Sequence, residues 1–327
     1  MKICYKKIEK GLELIRVWSS DHNVMVPEEI NHEKIVSIAP YAFSNHKTDE
    51  EKDTVTVMVG ESDGREELMA GSTVVEVHLP PTIEIIGNYA FYGCINMTTF
   101  HASDRVKRMG SGVFTGCRLS RVLIDFYEGE KSCLKEILTE IRYEVIAGLR
   151  YHGEDKITEN KIIFPEHYLD AVENTPARIV ENRYYGSGGE YRECFYRKEL
   201  DYLKYDRQFS LSEARDNQIV TAAVALMRLK YPYKLNDAEK KIYEMYLKEN
   251  IKTVVEALLE DESHSREFYT EDPVDILSYC CENKLFSEET IQEAVHMVSE
   301  KGQTEMLCIL MDARHRLFSH RKRKFEL

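Results

Sequence analysis

The fold is decided by Ile83-Glu-Ile-Ile86-Gly-Asn-Tyr-Ala90-Phe91-Tyr-Gly-Cys94 and by the segment that follows it, Val106-Lys-Arg-Met109-Gly-Ser-Gly-Val113-Phe114-Thr-Gly-Cys117. The two align without a gap at a step of 23 residues. A third copy, Ile35-Val-Ser-Ile38-Ala-Pro-Tyr-Ala42-Phe43, precedes them. The shared template is aliphatic-x-x-aliphatic-x-x-x-small-Phe. Val77, Phe100 and Leu123 keep the same 23-residue step, each inside a short extended run. A fixed step that preserves several apolar columns predicts a solenoid, with one strand and one returning segment per rung. Each Phe is expected to fill the space between rungs, because no single rung can bury it alone.

Phe43 and Phe91 lie 48 residues apart, close to two steps. This spacing predicts a degenerate rung between Phe43 and Val74. Its parts are a polar loop over 45–53, a strand-like run over 55–59 and a weak match over 61–71, with Met69 in place of the Phe. Residues 3–18, with Gly11 at a turn, read as a hairpin, and Val24-Met-Val26-Pro27 leads into the first rung. Cys94 and Cys117 are expected on adjacent rungs, about 5 Å apart at the strand spacing. Buried filler is the expected role for both, since a sensor thiol needs exposure and a low pKa.

The blocks 86–94 and 113–117 resemble BspA-type leucine-rich repeats, and the resemblance covers about residues 1–125. It implies a binding or adhesion protein, since family members are mostly of that kind and many act at bacterial surfaces. The N-terminal MKICYKKIEKGLELIRVW lacks the apolar core of a secretory signal. The expectation is therefore a cytoplasmic protein, with the cell surface as the alternative if a signal peptide was removed. In a reducing compartment the eight cysteines, none spaced C-x-x-C, stay as thiols.

Beyond the repeats, Leu134, Ile137, Leu138, Ile141 and Val145 predict an amphipathic helix over 132–149 that covers the open end of the solenoid. Thirteen of the twenty tyrosines fall between Tyr143 and Tyr246, about twice the chain's average density. They are read as a junction or a contact surface. Within this span Arg183, Tyr184, Tyr185, Gly186, Gly188, Tyr191 and Arg192 form a glycine loop flanked by two arginines. Backbone N–H groups of such a loop can cradle an anion, although neither G-x-G-x-x-G nor a Walker motif is present.

From residue 210 the pattern is helical. Ser210 with Glu213 reads as a capping box and Asp237 as a second cap. Asp272-Pro273 and Ser287 open later helices, and Gly302 closes one. The spacing over 240–315 resembles degenerate ankyrin-type hairpins, which implies protein binding. The expected fold class is α+β multidomain: a short leucine-rich-repeat β-solenoid followed by an α-helical hairpin array. The expected domains are 1–130 for the solenoid with its hairpin, 131–209 for a capping helix and tyrosine-rich junction, and 210–327 for the helical array.

A net charge of -13 repels phosphate backbones, so nucleic-acid binding is not expected despite the basic tail Arg321-Lys322-Arg323-Lys324. No run approaches the roughly 18 apolar residues of a membrane span. Catalytic, phosphate-loop and calcium motifs are missing, and no cofactor is expected. Cys308, Asp312 and His315 share a helix face at metal-ligand spacing, but a fourth ligand is not in view. His264 and Glu267 make a similar coincidence. The reading is a non-enzymatic scaffold or adaptor whose partner is a protein with a basic surface. A surface adhesin and an anion or nucleotide binder are the alternatives.

Overall fold

A computed structural model describes residues 1–46, 52–61, 64–174, 179–260 and 271–318. His264, Glu267 and the basic tail 321–324 lie outside the described residues. The chain forms two compact units, Met1–Asp201 and Tyr202–Leu327.

In the first unit β1 (Lys2–Ile8) and β2 (Gly11–Ser19) make the hairpin, with Ile8 opposite Gly11. Short strands follow: β3 (Asn23–Met25), β4 (Glu29–Ile30), β5 (Glu33–Ile38), β6 (Thr54–Met58), β7 (Glu67–Leu68), β8 (Glu76–His78) and β9 (Ile85–Ile86). The winding continues through β10 (Thr99–Ser103), β11 (Arg108–Met109), β12 (Arg121–Phe126), helix α1 (Leu134–Glu140), β13 (Val145–His152) and β14 (Ile157–Phe164). Two sheets result. Sheet A runs β11-β9-β5-β2-β1-β6, and sheet B runs β14-β13-β12-β10-β8-β3. Neighbours from β2 to β11 in sheet A and from β3 to β13 in sheet B are parallel. Antiparallel β1 and β14 end these ladders. This is a β-solenoid, and with the helices of the second unit the fold class is α+β.

The interior is a set of columns. Val24, Val77, Phe100, Val122, Ala147 and Ile162 are consecutive partners across sheet B, and all are buried. Leu14, Ile38, Ile86 and Met109 form the matching row in sheet A. Phe43, Phe91 and Phe114 stack at centroid distances of 4.9 and 5.4 Å. Cys94 and Cys117 sit beside this stack, and each thiol donates to the carbonyl of the Phe one rung back, Phe43 or Phe91, at 3.1 Å. The hydrogen bond with Cys94, together with burial, pushes the Cys117 thiol pKa up.

Two expectations about the repeat are corrected. No rung lies between Phe43 and Phe91. Phe43 N–H donates to Ala90 at 2.8 Å, and Ser37 pairs directly with Ile85. The extra residues instead leave the stack: β6 adds to β1 and β7 to the end of β2. Met69 is buried there, its N–H on the Val17 carbonyl, and it does not stand in for a Phe. The second correction concerns register. Phe100 pairs with Val122, not Leu123. The turn from Cys117 to Leu119 is one residue shorter than that from Cys94 to Met97. A one-residue slip exchanges the faces of a strand, so Val122 enters the core and Leu123 faces out beside His101.

The helix expected over 132–149 is shorter than its pattern. α1 ends at Glu140, and Val145 opens strand β13. Residues 145–149 are buried on both faces, and such a run looks the same in a helix or a central strand. Pairing with β12 and β14 decides the outcome. α1 caps the last rung electrostatically as well as sterically. The Glu140 carboxylate accepts the N–H groups of Val113 and Phe114 at 3.2 and 2.7 Å. In earlier rungs the equivalent donors, Ala90's neighbour Phe91 and Phe43, bond to the next turn of chain.

The first unit closes with hairpin β15 (Tyr168–Asn174) and β16 (Ile179–Tyr185), helix α2 (Gly188–Arg192), and hairpin β17 (Phe195–Tyr196) and β18 (Glu199–Leu200). The second unit is helical: α3 (Tyr202–Asp206), α4 (Phe209–Arg215), α5 (Gln218–Lys230), α6 (Asp237–Leu259), α7 (Pro273–Glu282), α8 (Glu288–Glu300) and α9 (Thr304–Phe318). Asp272 and Ser287 cap α7 and α8 as expected, and Gly302 follows α8 at positive φ. Two cap assignments move. Ser210 lies inside α4, and Asn236 rather than Asp237 caps α6. α6 is kinked at Asn250 (φ -115°, ψ 20°). Arg228, fully buried, donates to both Asp206 oxygens at 2.7 and 2.9 Å, and the Tyr243 hydroxyl donates to the same carboxylate at 2.9 Å. These bonds tie α3, α5 and α6 together.

Phe91 contacts rings on both neighbouring rungs. Phe91→Ala is expected to lower stability by about 3–5 kcal/mol, read from urea unfolding. The exposed neighbour change Tyr92→Ala should stay within about 0.5 kcal/mol. Glu140→Ala leaves two donors of the last rung without their acceptor and should cost about 1–3 kcal/mol.

Candidate functional site

Strand alternation places Glu76, Thr99 and Arg121 in one row on the outer face of sheet B, and His78, His101 and Leu123 in the next. Asp125 and Arg150 are partners further along the same face. These side chains form one network. Glu76 accepts from the Thr99 hydroxyl and from Arg121, both at 3.3 Å, and lies 3.4 Å from His78 Nε2. The Nδ1 atoms of His78 and His101 are 3.2 Å apart, so one proton bridges them. His101 Nε2 donates to Asp125 Oδ2 at 2.5 Å, with the tautomer assigned from its acceptor partner. Arg150 donates to the same oxygen at 2.7 Å, and His152 Nε2 donates to Asp125 Oδ1 at 2.7 Å. The Tyr127 ring stacks on His152 at 4.3 Å.

Asp125 is the hub, with only 6% of its surface exposed. Burial alone would raise its pKa. Hydrogen bonds from His101 and His152, with the charges of His101 and Arg150, outweigh that and hold the carboxyl well below the usual range. The ionised carboxylate orders its partners, so the face is rigid before anything binds. Nothing in the repeat template marks these positions. Only the register of β8, β10, β12 and β13 brings together residues from four rungs. Alternation within β8 and β10 would have put His78 and His101 on one face, a signal the 23-residue step itself carries.

The glycine loop is arranged differently from the expected anion cradle. Arg183, Tyr184 and Tyr185 lie in β16, and the Tyr185 ring stacks on Tyr168 at 4.4 Å. Tyr191 and Arg192 are buried in α2. Arg192 donates through Nε to the Leu138 and Ile141 carbonyls, at 3.2 and 3.1 Å, and through its terminal nitrogens to Pro165, Gly188 and Tyr143. It is a clamp joining α1, α2 and the end of β14, so it does not point at a ligand. Gly186 makes the turn at φ 74°, and a Cβ on Gly188 would meet the Pro165 carbonyl at 1.9 Å. The glycines serve close backbone packing. Burial, with Arg192 and Arg142 nearby, lowers the His167 pKa to about 4. On α9, Cys308, Asp312 and His315 are exposed, and no group of three metal-ligating side chains occurs among the described residues.

The two titrating groups separate in pH. Asp125 has a depressed folded pKa, so its contribution is complete above about pH 4 and falls as pH drops through the folded value. Asp125→Asn should cost about 1–3 kcal/mol at pH 7, and the difference from wild type in urea midpoint should shrink below pH 4. His167 also has a depressed pKa, but as a base. Its unfolded form takes the proton first, so stability falls between about pH 6.5 and 4 as acid is added. His167→Gln should flatten that part of the stability curve and leave the acid limb.

Residues 65–143 match the family model described as BspA type leucine rich repeat region, in 6 copies. The match takes in β7 to α1. No curated protein and no solved structure is matched. The stacked rungs, their Phe and Cys columns and this match agree: the solenoid of this protein is a BspA-type leucine-rich-repeat region.

Proposed function

We propose that the protein is a non-enzymatic scaffold or adaptor that binds a partner protein through the outer face of sheet B. The observation that carries this reading is the Asp125 network. It orders polar and charged groups from four rungs on one accessible face, and ordering before contact reduces the entropy lost on binding. Repeat solenoids of this family typically bind or adhere, which supports the class. Both ring nitrogens of His101 are engaged by His78 and Asp125, an arrangement suited to fixing a surface rather than moving a substrate proton.

The net charge of -13 favours a partner with a basic patch. The eight cysteines are free thiols, seven of them buried, which is consistent with residence in a reducing, cytoplasmic compartment. Membrane crossing by a helix is not part of this reading, since no described helix is long and apolar enough to span a bilayer.

The test is affinity capture from the native cell with wild type and a face variant, Leu123→Glu with Arg121→Glu. Wild type should recover one protein at near-stoichiometric level, and the variant should lose it while remaining folded by circular dichroism. Capture should weaken as salt rises from about 0.05 to 0.5 M, where screening shortens the reach of charge. Equal recovery by the variant would overturn the assignment to this face.

A further inference from the structure

Sheet A ends differently from sheet B. Each of its parallel strands offers carbonyls that accept from the following rung. The Val36 and Ile38 carbonyls accept from Glu84 and Gly87 N–H, and those of Glu84 and Ile86 accept from Lys107, Arg108 and Gly110 N–H. The equivalents one step on are the carbonyls of Lys107, just before β11, and Met109 within it. After β12 the chain supplies helix α1 at this place instead of a strand, and α1 does not continue the sheet A ladder beyond β11. Glu140 of α1 satisfies donors of the neighbouring turn but cannot serve acceptors. Among the described residues, nothing donates to the Lys107 or Met109 carbonyl.

This edge opens into a groove of about 560 Å³ that runs back across sheet A. Glu136 of α1 and Lys198 of the β17–β18 turn form its far wall and pair with each other. Gly87 and Gly110 line the floor, and a Cβ on either would strike the preceding rung, at Pro40 or Asn88 backbone 2.4 or 2.5 Å away, so glycine there lets successive rungs pack closely. One cation at this edge lacks an ion-pair partner among the described residues. Lys107 is held by Glu84 at 2.9 Å, whereas Arg108 is exposed and has no such partner.

We infer that β11 is a docking edge for an extended segment of a partner protein, which adds to sheet A as a parallel strand and sets a carboxylate beside Arg108. Two backbone N–H groups of the segment, two residues apart, donate to the Lys107 and Met109 carbonyls, as Arg108 and Gly110 do to Glu84 and Ile86. The residue giving the first N–H lies laterally next to Arg108, as Arg108 lies next to Ile85. Strand addition of this kind gains affinity from the main chain and specificity from alternate side chains. An unpaired edge is otherwise a liability for a folded protein.

The test uses the full chain and a fluorescein-labelled peptide, acetyl-TVEVTV-amide, read by fluorescence anisotropy. Saturable binding is expected. Methylating the third and fifth amide nitrogens should weaken it at least about tenfold. Arg108→Glu should weaken the glutamate peptide by a similar factor and favour acetyl-TVKVTV-amide instead. The Leu123→Glu, Arg121→Glu variant of sheet B should bind the peptide as wild type does. Equal binding of the methylated peptide would overturn strand addition. Absence of binding by both peptides up to about 1 mM would overturn the site. Self-association that Arg108→Glu abolishes, seen by sedimentation, would assign the edge to a second copy of the chain and overturn the partner segment.

Discussion

Everything in the first unit depends on the parallel hydrogen-bonded ladder that holds one rung about 4.8 Å from the next. At that spacing a side chain touches its counterpart above and below before it touches anything else. A Phe column therefore becomes a ring stack, and a Cys column becomes a row of thiols bonded to carbonyls. The same constraint acts on the outer face. Glu76, His78, His101, Asp125 and Arg150 meet because the ladder fixes their strands in register, though they are far apart in sequence.

The solenoid is bounded by different means at its two ends. The antiparallel hairpin β1–β2 begins sheet A, and β14 turns back on β13 to finish sheet B. At the last turn a helix replaces a strand, and a single carboxylate, Glu140, receives the Phe114 N–H that another rung would have received and the Val113 N–H beside it. Arg192 performs the complementary task. Its guanidinium gathers carbonyls from α1, α2 and the end of β14 that have no regular partner. A half-buried anion and a buried cation thus close the solenoid where its periodicity stops.

The outer face of sheet B and the edge of sheet A offer different chemistry. The first is polar and preorganised around one ionised aspartate. The second presents main-chain acceptors and an exposed cation, Arg108, without an ion-pair partner among the described residues. On the proposed reading, two such surfaces would hold two segments at once and raise the effective concentration of each for the other. The second unit, built around the buried Arg228–Asp206–Tyr243 bonds, has a charged core that specifies which helices pack together. Replacing either ion alone would strand its partner.

By itself the sequence determined the repeat, its Phe and Cys columns, the N-terminal hairpin, most of the later helices and the Asp272 and Ser287 caps. Those features rest on local spacing, on turn and cap residues, and on a step that the chain repeats in order. Tertiary structure alone decided the rest, because pairing is not a property of sequence distance. It set Phe43 directly on Phe91 by sending β6 and β7 out to the hairpin, and it moved Val122 inward where one turn lost a residue. It drew Val145 from a helical pattern into a central strand, and it buried Arg192 where sequence showed a flanking cation. The Asp125 network belongs to this second group. Each of its members is an unremarkable polar residue in its own strand, and only the register between rungs makes them a site.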